Sequence, residues 1–180
     1  MNVSVPFTVE QAKKLKAGDV VNISGVIYTA RDAAHKRMLE EYDNTGKFPF
    51  DIQNQIVYYA GPAPAKPNEV IGSVGPTTSY RMDAYSPVLL RFGLRGMIGK
   101  GIRNNEVIQA MKQYTGVYFG ATGGAGALLA KHIESVEVIA YEDLGAEAIR
   151  KLVVKDFPVI VIIDSEGNNL YETEPIKYRK

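Results

Sequence analysis

Short apolar runs that alternate with helix-forming segments along the chain constrain its fold more than any other feature. Val159-Ile160-Val161-Ile162-Ile163 is the most apolar of them. A strand without a polar side has to be covered on both faces, so this run is read as a central strand. Gln55–Ala60, Val70–Val74, Thr115–Gly120 and Val136–Tyr141 read as further strands, and residues 2–7 and Leu170–Glu172 as edge strands. Val20–Tyr28 is β-branched and reads as a strand or hairpin with a bulge at Gly25. Helices are expected from Thr8 to about Leu15 and from Thr29 to about Tyr42. Others follow over Met82–Phe92, from Asn104 to about Tyr114 and over Leu128–Ile133. Thr8 is the expected cap of the first helix, with Gln11 closing a capping box. Glu142–Val154 is expected to combine a turn and a short helix. The pattern predicts α/β architecture: one domain over residues 1–180, a mixed sheet flanked by helices, with a polar tail over 173–180 free to move.

Composition narrows the chemistry. A net charge of +1 argues against a general nucleic-acid binder. No apolar run approaches the ~20 residues of a membrane span. The start, Met1-Asn2-Val3-Ser4-Val5-Pro6-Phe7, lacks the basic end and long apolar core of a signal peptide, so a cytoplasmic location is expected. The chain has no cysteine. It therefore offers no thiol nucleophile and no thiolate for an iron–sulfur or zinc site. Its two histidines, His35 and His132, are not at metal-ligand spacing.

In an open α/β sheet, ligands gather where strand ends meet helix starts. Gly75-Pro76-Thr77-Thr78-Ser79-Tyr80-Arg81-Met82-Asp83 falls at such a junction, with three hydroxyls and a guanidinium in one turn. It reads either as an anion-binding turn for a carboxylate or as an ordinary helix cap. Arg31, expected in the first turn of a helix, opposes the helix dipole there. Either an anion at that end explains it, or a neighbouring carboxylate such as Asp32 or Glu10 does. Lys100 lies between Gly99 and Gly101 and is either an anion contact or a solvated turn lysine. The Gly120–Gly126 turn has neither the phosphate-loop lysine nor a G-x-G-x-x-G spacing, so nucleotide binding is weakly supported.

Several of these stretches together resemble a known family. They are Tyr28-Thr29-Ala30-Arg31-Asp32-Ala33-Ala34-His35-Lys36-Arg37, Tyr59-Ala60-Gly61-Pro62, the Gly75–Asp83 turn, Gly99-Lys100-Gly101 and Phe157-Pro158. They resemble the C-terminal domain of class I, iron–sulfur-dependent fumarate hydratases, which also occurs as a separate beta subunit and is shared in type with L(+)-tartrate dehydratase. The likeness runs over roughly residues 3–172. It implies a swivelling β/α/β domain and reversible hydration of fumarate to (S)-malate. It also implies a partner alpha subunit whose cysteines hold a 4Fe-4S cluster, with one iron open as a Lewis acid. By motif position Arg31, Arg81 and Lys100 resemble clamps for the substrate carboxylates, and Thr77 a hydroxyl in proton transfer. Asp32, His35, Thr78 and Asp83 are expected as supporting residues: Asp32 and His35 orienting Arg31 or capping its helix, Asp83 pairing with Arg81. Tyr80 stands where the family often has glycine, which leaves substrate preference open. Tartrate dehydration and a stand-alone small-anion binding module are the alternatives.

Overall fold

The computed structural model describes residues 1–121 and 126–177. In chain order its strands are β1 (Asn2–Ser4), β2 (Val20–Thr29), β3 (Ile56–Tyr58), β4 (Gly96–Gly99), β5 (Val117–Ala121), β6 (Ile133–Ala140) and β7 (Ile149–Ile163). Its α-helices are α1 (Val9–Lys14), α2 (Asp32–Thr45), α3 (Ser86–Arg91), α4 (Asn105–Tyr114), α5 (Gly126–Ala130) and α6 (Leu170–Lys177). Tight 3-10 turns cover Ser79–Met82 and Glu142–Glu147.

Local chemistry sets the helix limits. Thr8 caps α1, and Gln11 returns to the Thr8 backbone, as the capping box predicts. Asn104 caps α4 through its side-chain oxygen and the Val107 N–H. Gly46 closes α2 at φ 73°, a left-handed position that suits a residue without Cβ.

Strands β1 to β5 pair in parallel, in the order β1-β2-β3-β4-β5. The long β7 runs antiparallel to β5, β6 and β2. Because β7 pairs with both β2 and β5, the path β2-β3-β4-β5-β7 returns to β2, and the mixed sheet curls back on itself. The register of β2 against β7 slips between Ile23 and Gly25, where the sequence places a bulge.

Alternate residues of the inner strands enter two cores. Ile56, Tyr58, Ile98, Val117 and Phe119 join one, with Phe7, Leu15 and Phe157. Val57, Tyr59, Met97 and Tyr118 join the other, with Met38, Leu89 and Met111 from the helices. Each fully buried aliphatic side chain favours the fold by about 1.5–3 kcal/mol over exposure. Two buried faces therefore hold strands as short as β3 and β4 in place. The result is a single α/β domain with a mixed sheet flanked by helices.

Some expectations fail for identifiable reasons. Val70–Val74 is not a strand, although Ile71 and Val74 are buried. It packs on the 63–64 backbone, where a Cβ on Gly72 would lie 2.2 Å from the Ala63 carbonyl oxygen, and it has no ladder partner among the described residues. Helix α2 starts at Asp32 with Arg31 as its N-cap, because Thr29 still belongs to β2. The Asp43–Pro49 loop begins later than expected, since α2 continues to Thr45. Met82–Phe92 is a 3-10 turn followed by a short helix. Residues 149–154 extend β7, because β2 and β6 pair with both of its edges there. Leu170–Glu172 opens α6, whose start is fixed by Asn169 accepting the Tyr171 N–H. Residues 173–177 of the expected tail lie in this helix, and 178–180 lie outside the described residues. The same holds for Thr122–Ala125 in the Gly120–Gly126 turn.

Candidate functional site

The carboxyl ends of β2, β3 and β4 lie side by side and carry most of the expected site residues. Thr29 pairs with Tyr58, and the Ala30 N–H donates to the Tyr58 carbonyl. Arg31 therefore leaves the sheet beside the end of β3. The Thr77 N–H donates to the Tyr59 carbonyl at 2.6 Å, and the Lys100 N–H donates back to the Thr77 carbonyl at 3.3 Å. The Ser79 N–H donates to the Lys100 carbonyl, and Thr78 bridges Lys100 in parallel register. The 77–79 segment is thus laid alongside the end of β4 by main-chain bonds. Arg31, Thr77, Thr78 and Lys100 end up on adjacent strand ends, while Arg81 follows on the 3-10 turn.

The side chains of Arg81 and Lys100 are exposed and form no hydrogen bond or ion pair with a described residue. Thr77 and Thr78 are half-buried, and neither hydroxyl bonds a described residue. Desolvating two cations is unfavourable without an anion nearby, so leaving them exposed suits a ligand that arrives with negative charge.

Beneath this surface lies a buried polar network, and its central cation was not among the residues expected from sequence. The Arg103 side chain is fully buried, and its Nε donates to Asp83 Oδ1 at 2.7 Å. Its Nη2 donates to Ser86 Oγ at 2.8 Å and Tyr59 Oη at 3.2 Å. The guanidinium also lies 5.2 Å from the Tyr59 ring centroid and 4.9 Å from that of Tyr118. Burial works against its charge, but Tyr59 and Asp83 outweigh burial and raise its pKa. The second Asp83 oxygen accepts the Asn104 N–H. Tyr118 Oη donates to the Gly101 carbonyl and lies 2.8 Å from Ser79 Oγ. Burial raises the Tyr118 pKa, so the phenol stays protonated.

Asp83 was expected to serve Arg81. It pairs with Arg103 instead, because it points into the core while Arg81 points out. The glycine at 99 allows close approach, but what approaches is Ser79: a Cβ there would lie 2.0 Å from Ser79 Oγ. No sequence signal picks out Arg103. It precedes a helix-capping asparagine and looks like any surface arginine.

Around Arg31 the arrangement is less saturated. Both the His35 N–H and its ring Nδ1 reach the Arg31 carbonyl, at 3.0 and 2.8 Å. A carbonyl only accepts, so Nδ1 carries the proton and Nε2 is bare. Burial pushes the His35 pKa down to about 4, with the Arg31 carbonyl opposing, and keeps the ring neutral. His35 thus fastens the Arg31 backbone, in keeping with a supporting role. The carboxylate nearest the guanidinium is Glu147, with 3.6 Å between Nε and Oε1, and neither Asp32 nor Glu10. Arg31 Nε, Glu147 Oε1, Asp32 Oδ1 and His35 Nε2 are buried without hydrogen-bond partners.

Among the described residues, no group of three or more His, Asp or Glu side chains is placed to hold a metal ion. No helix among them is long and apolar enough to cross a membrane.

Fold and site together define a small α/β domain that gathers Lys100, Arg31 and the Thr77 and Thr78 hydroxyls at the carboxyl ends of parallel strands, with Arg81 on the turn that follows. The family model for the fumarase C-terminus matches residues 1–174, and the chain belongs to that family. It is 41% identical over 177 residues to a protein of Geobacillus stearothermophilus named as fumarate hydratase class I, covering 96% of this chain and 34% of that protein. It is 40% identical over 172 residues to a protein of Methanocaldococcus jannaschii named as L(+)-tartrate dehydratase subunit beta, covering 92% and 88%. The aerobic class I fumarate hydratase of Escherichia coli K12 is 40% identical over 154 residues, covering 84% and 28%. The chain thus spans about a third or less of these fumarate hydratases, but nearly all of the beta subunit.

Proposed function

We propose that the chain is the beta component of a cytoplasmic hydro-lyase that reversibly hydrates fumarate to (S)-malate. In this reading it acts with a cysteine-bearing alpha subunit that holds a 4Fe-4S cluster. The single observation that carries the reading is a pair of exposed cations with no partner among the described residues, Lys100 at the end of β4 and Arg81 on the turn that follows Thr77. Family membership and coverage of nearly a whole beta subunit support it. This chain's own residues do not fit a cluster site: it has no cysteine and, among the described residues, no clustered metal ligands. The cluster is therefore assigned to the partner.

The work left to this chain is binding, orientation and charge stabilisation. Arg31, Arg81 and Lys100 hold the two carboxylates of a four-carbon dianion; Arg offers a planar fork and Lys a compact charge. Addition of water across the double bond builds carbanion character that spreads into one carboxylate. Fixed cations at those oxygens stabilise the developing charge more than they stabilise the ground state. The Thr77 backbone is pinned between Tyr59 and Lys100, which orients its hydroxyl for proton transfer at the substrate carbon. In hydration the hydroxyl passes a proton to the carbanion and is resupplied by an acidic group of the partner; in dehydration the same group is the final acceptor, because a threonine hydroxyl alone is a weak base near neutral pH. Thr78 and Asp83 support this surface through the Lys100 bridge and through Arg103.

Coverage of 88% of a protein named as a tartrate dehydratase beta subunit favours tartrate as the second substrate to test. The test is anaerobic purification of the tagged chain from its native cells, with the eluate assayed on fumarate and L(+)-tartrate. Fumarate turnover by an iron-containing complex is the expected result. Turnover of tartrate alone replaces the substrate, and absence of both activities from an assembled complex overturns the proposal.

A further inference from the structure

Arg31 is held from several sides by a device with Glu147 at its end. The guanidinium stem runs along Gly61, where an added Cβ would lie 3.2 Å from Arg31 Cδ and 2.8 Å from the Ala146 carbonyl oxygen. Glu147 follows directly and faces Arg31 Nε at 3.6 Å, with the two side chains 29% and 26% exposed. At that distance charge attracts, but no hydrogen bond forms. The two Nη groups of Arg31 bond no described residue and are not among the fully buried unpartnered atoms, so they retain some access to solvent.

The turn that carries Glu147 is itself fastened to α2, the helix that Arg31 begins. Arg37 forms a bidentate pair with Asp143 at 2.7 and 2.9 Å and lies over the Tyr141 ring. Tyr141 Oη donates to Glu41. At the far end of the turn, the Arg150 guanidinium donates to the carbonyls of Gly145, Ala146 and Ala148. Glu147 thus hangs from a stretch tied on one side to α2 and on the other to β7.

We propose that Glu147 is a positioning residue for Arg31, and this rests on the hydro-lyase reading. Its carboxylate draws the Nε edge inward, so that the Nη edge is presented to a substrate carboxylate. Glu147 does not touch the substrate; it acts by fixing the plane and direction of the fork. Losing it lets the guanidinium turn without removing its charge, so substrate binding weakens more than turnover does.

The test uses the assembled complex and compares wild type, Glu147→Ala, Glu147→Gln, Arg31→Ala and the double variant Glu147→Ala/Arg31→Ala. Glu147→Ala is expected to raise KM for the dicarboxylate about tenfold with kcat within about twofold. Glu147→Gln keeps the shape but not the charge and is expected to raise KM by a similar factor, because the contact at 3.6 Å is an attraction between charges and not a hydrogen bond. In the Arg31→Ala background, Glu147→Ala is expected to change KM less than twofold, because a residue that acts through Arg31 has nothing left to position. An active wild type with KM within twofold in Glu147→Ala overturns this inference alone, and so does an equal effect with and without Arg31. Should Glu147→Ala fail to assemble, Glu147→Gln takes its place: a KM raised several-fold with kcat within about twofold supports the inference, and a KM within twofold of wild type overturns it. A wild-type complex inactive on both fumarate and tartrate overturns the functional reading first, and this inference with it.

Discussion

Replacing Arg103 with methionine removes the cation at the centre of the network beneath the site. Methionine is shorter but close in volume and carries no charge, so the change takes away the bonds to Asp83, Ser86 and Tyr59 while leaving most of the volume filled. Asp83 keeps its bond from the Asn104 N–H but loses its counter-ion in a place where its side chain is only 9% exposed. Two effects compete. Forming the pair required desolvation of both charges, which limits its net worth. Breaking it from one side leaves a carboxylate in low dielectric, and that term dominates at about 3–5 kcal/mol. With a urea slope of about 2 kcal/mol/M, the unfolding midpoint of Arg103→Met is expected to fall by roughly 1.5–2.5 M. Removing both charges in Asp83→Leu/Arg103→Met is expected to cost less than the single change, because no orphaned ion remains. Urea titration followed by circular dichroism measures both. A midpoint within about 0.5 M of wild type for Arg103→Met, or a double variant as damaged as the sum of the singles, refutes the reasoning.

Two further predictions follow from the same region. The His35 pKa lies near 4 in the folded chain against 6.5 for a free ring, through burial. Below pH 6.5 the unfolded ring takes up a proton that the folded one refuses, so stability is lost as pH falls from 6.5 towards 4, by roughly 3 kcal/mol in all. His35→Gln is expected to flatten that part of the pH profile in urea titrations, and parallel profiles for the two proteins contradict the assignment. Gly99→Ala is expected to destabilise the chain by about 1–3 kcal/mol and lower its melting temperature, because the new methyl meets Ser79 Oγ at 2.0 Å and Tyr59 Cδ2 at 2.8 Å. An unchanged melting temperature argues against the close packing described there.

How far the sequence was legible depended on whether the deciding interaction was local. The Thr8–Gln11 capping box, the helix from about Asn104 to Tyr114 and the Gly25 bulge involve near neighbours or a single strand's chemistry, and they are found where expected. The extension of β7 back to Ile149 was hidden, because it depends on β2 and β6 lying along both of its edges. Val70–Val74 has the composition of a strand but buries its apolar side chains without joining the sheet. That Arg31, Thr77, Thr78 and Lys100 would gather at one end of the sheet was readable, because parallel order brings strand ends from distant segments together. The partners of Asp83 and Arg31 were not. Arg103 and Glu147 are separated from them by 20 and 116 positions, and nothing in their immediate sequence distinguishes a buried charge from a solvated one.

The claim that matters most is that this chain supplies cationic clamps to a dicarboxylate in a site completed by a second subunit. The most direct measurement is fumarate hydration by the anaerobically purified complex, wild type against Lys100→Ala, with subunit content checked in both. The account predicts an intact Lys100→Ala complex with kcat/KM lowered by about 100-fold or more. A Lys100→Ala complex that assembles and hydrates fumarate within a few-fold of wild type contradicts it.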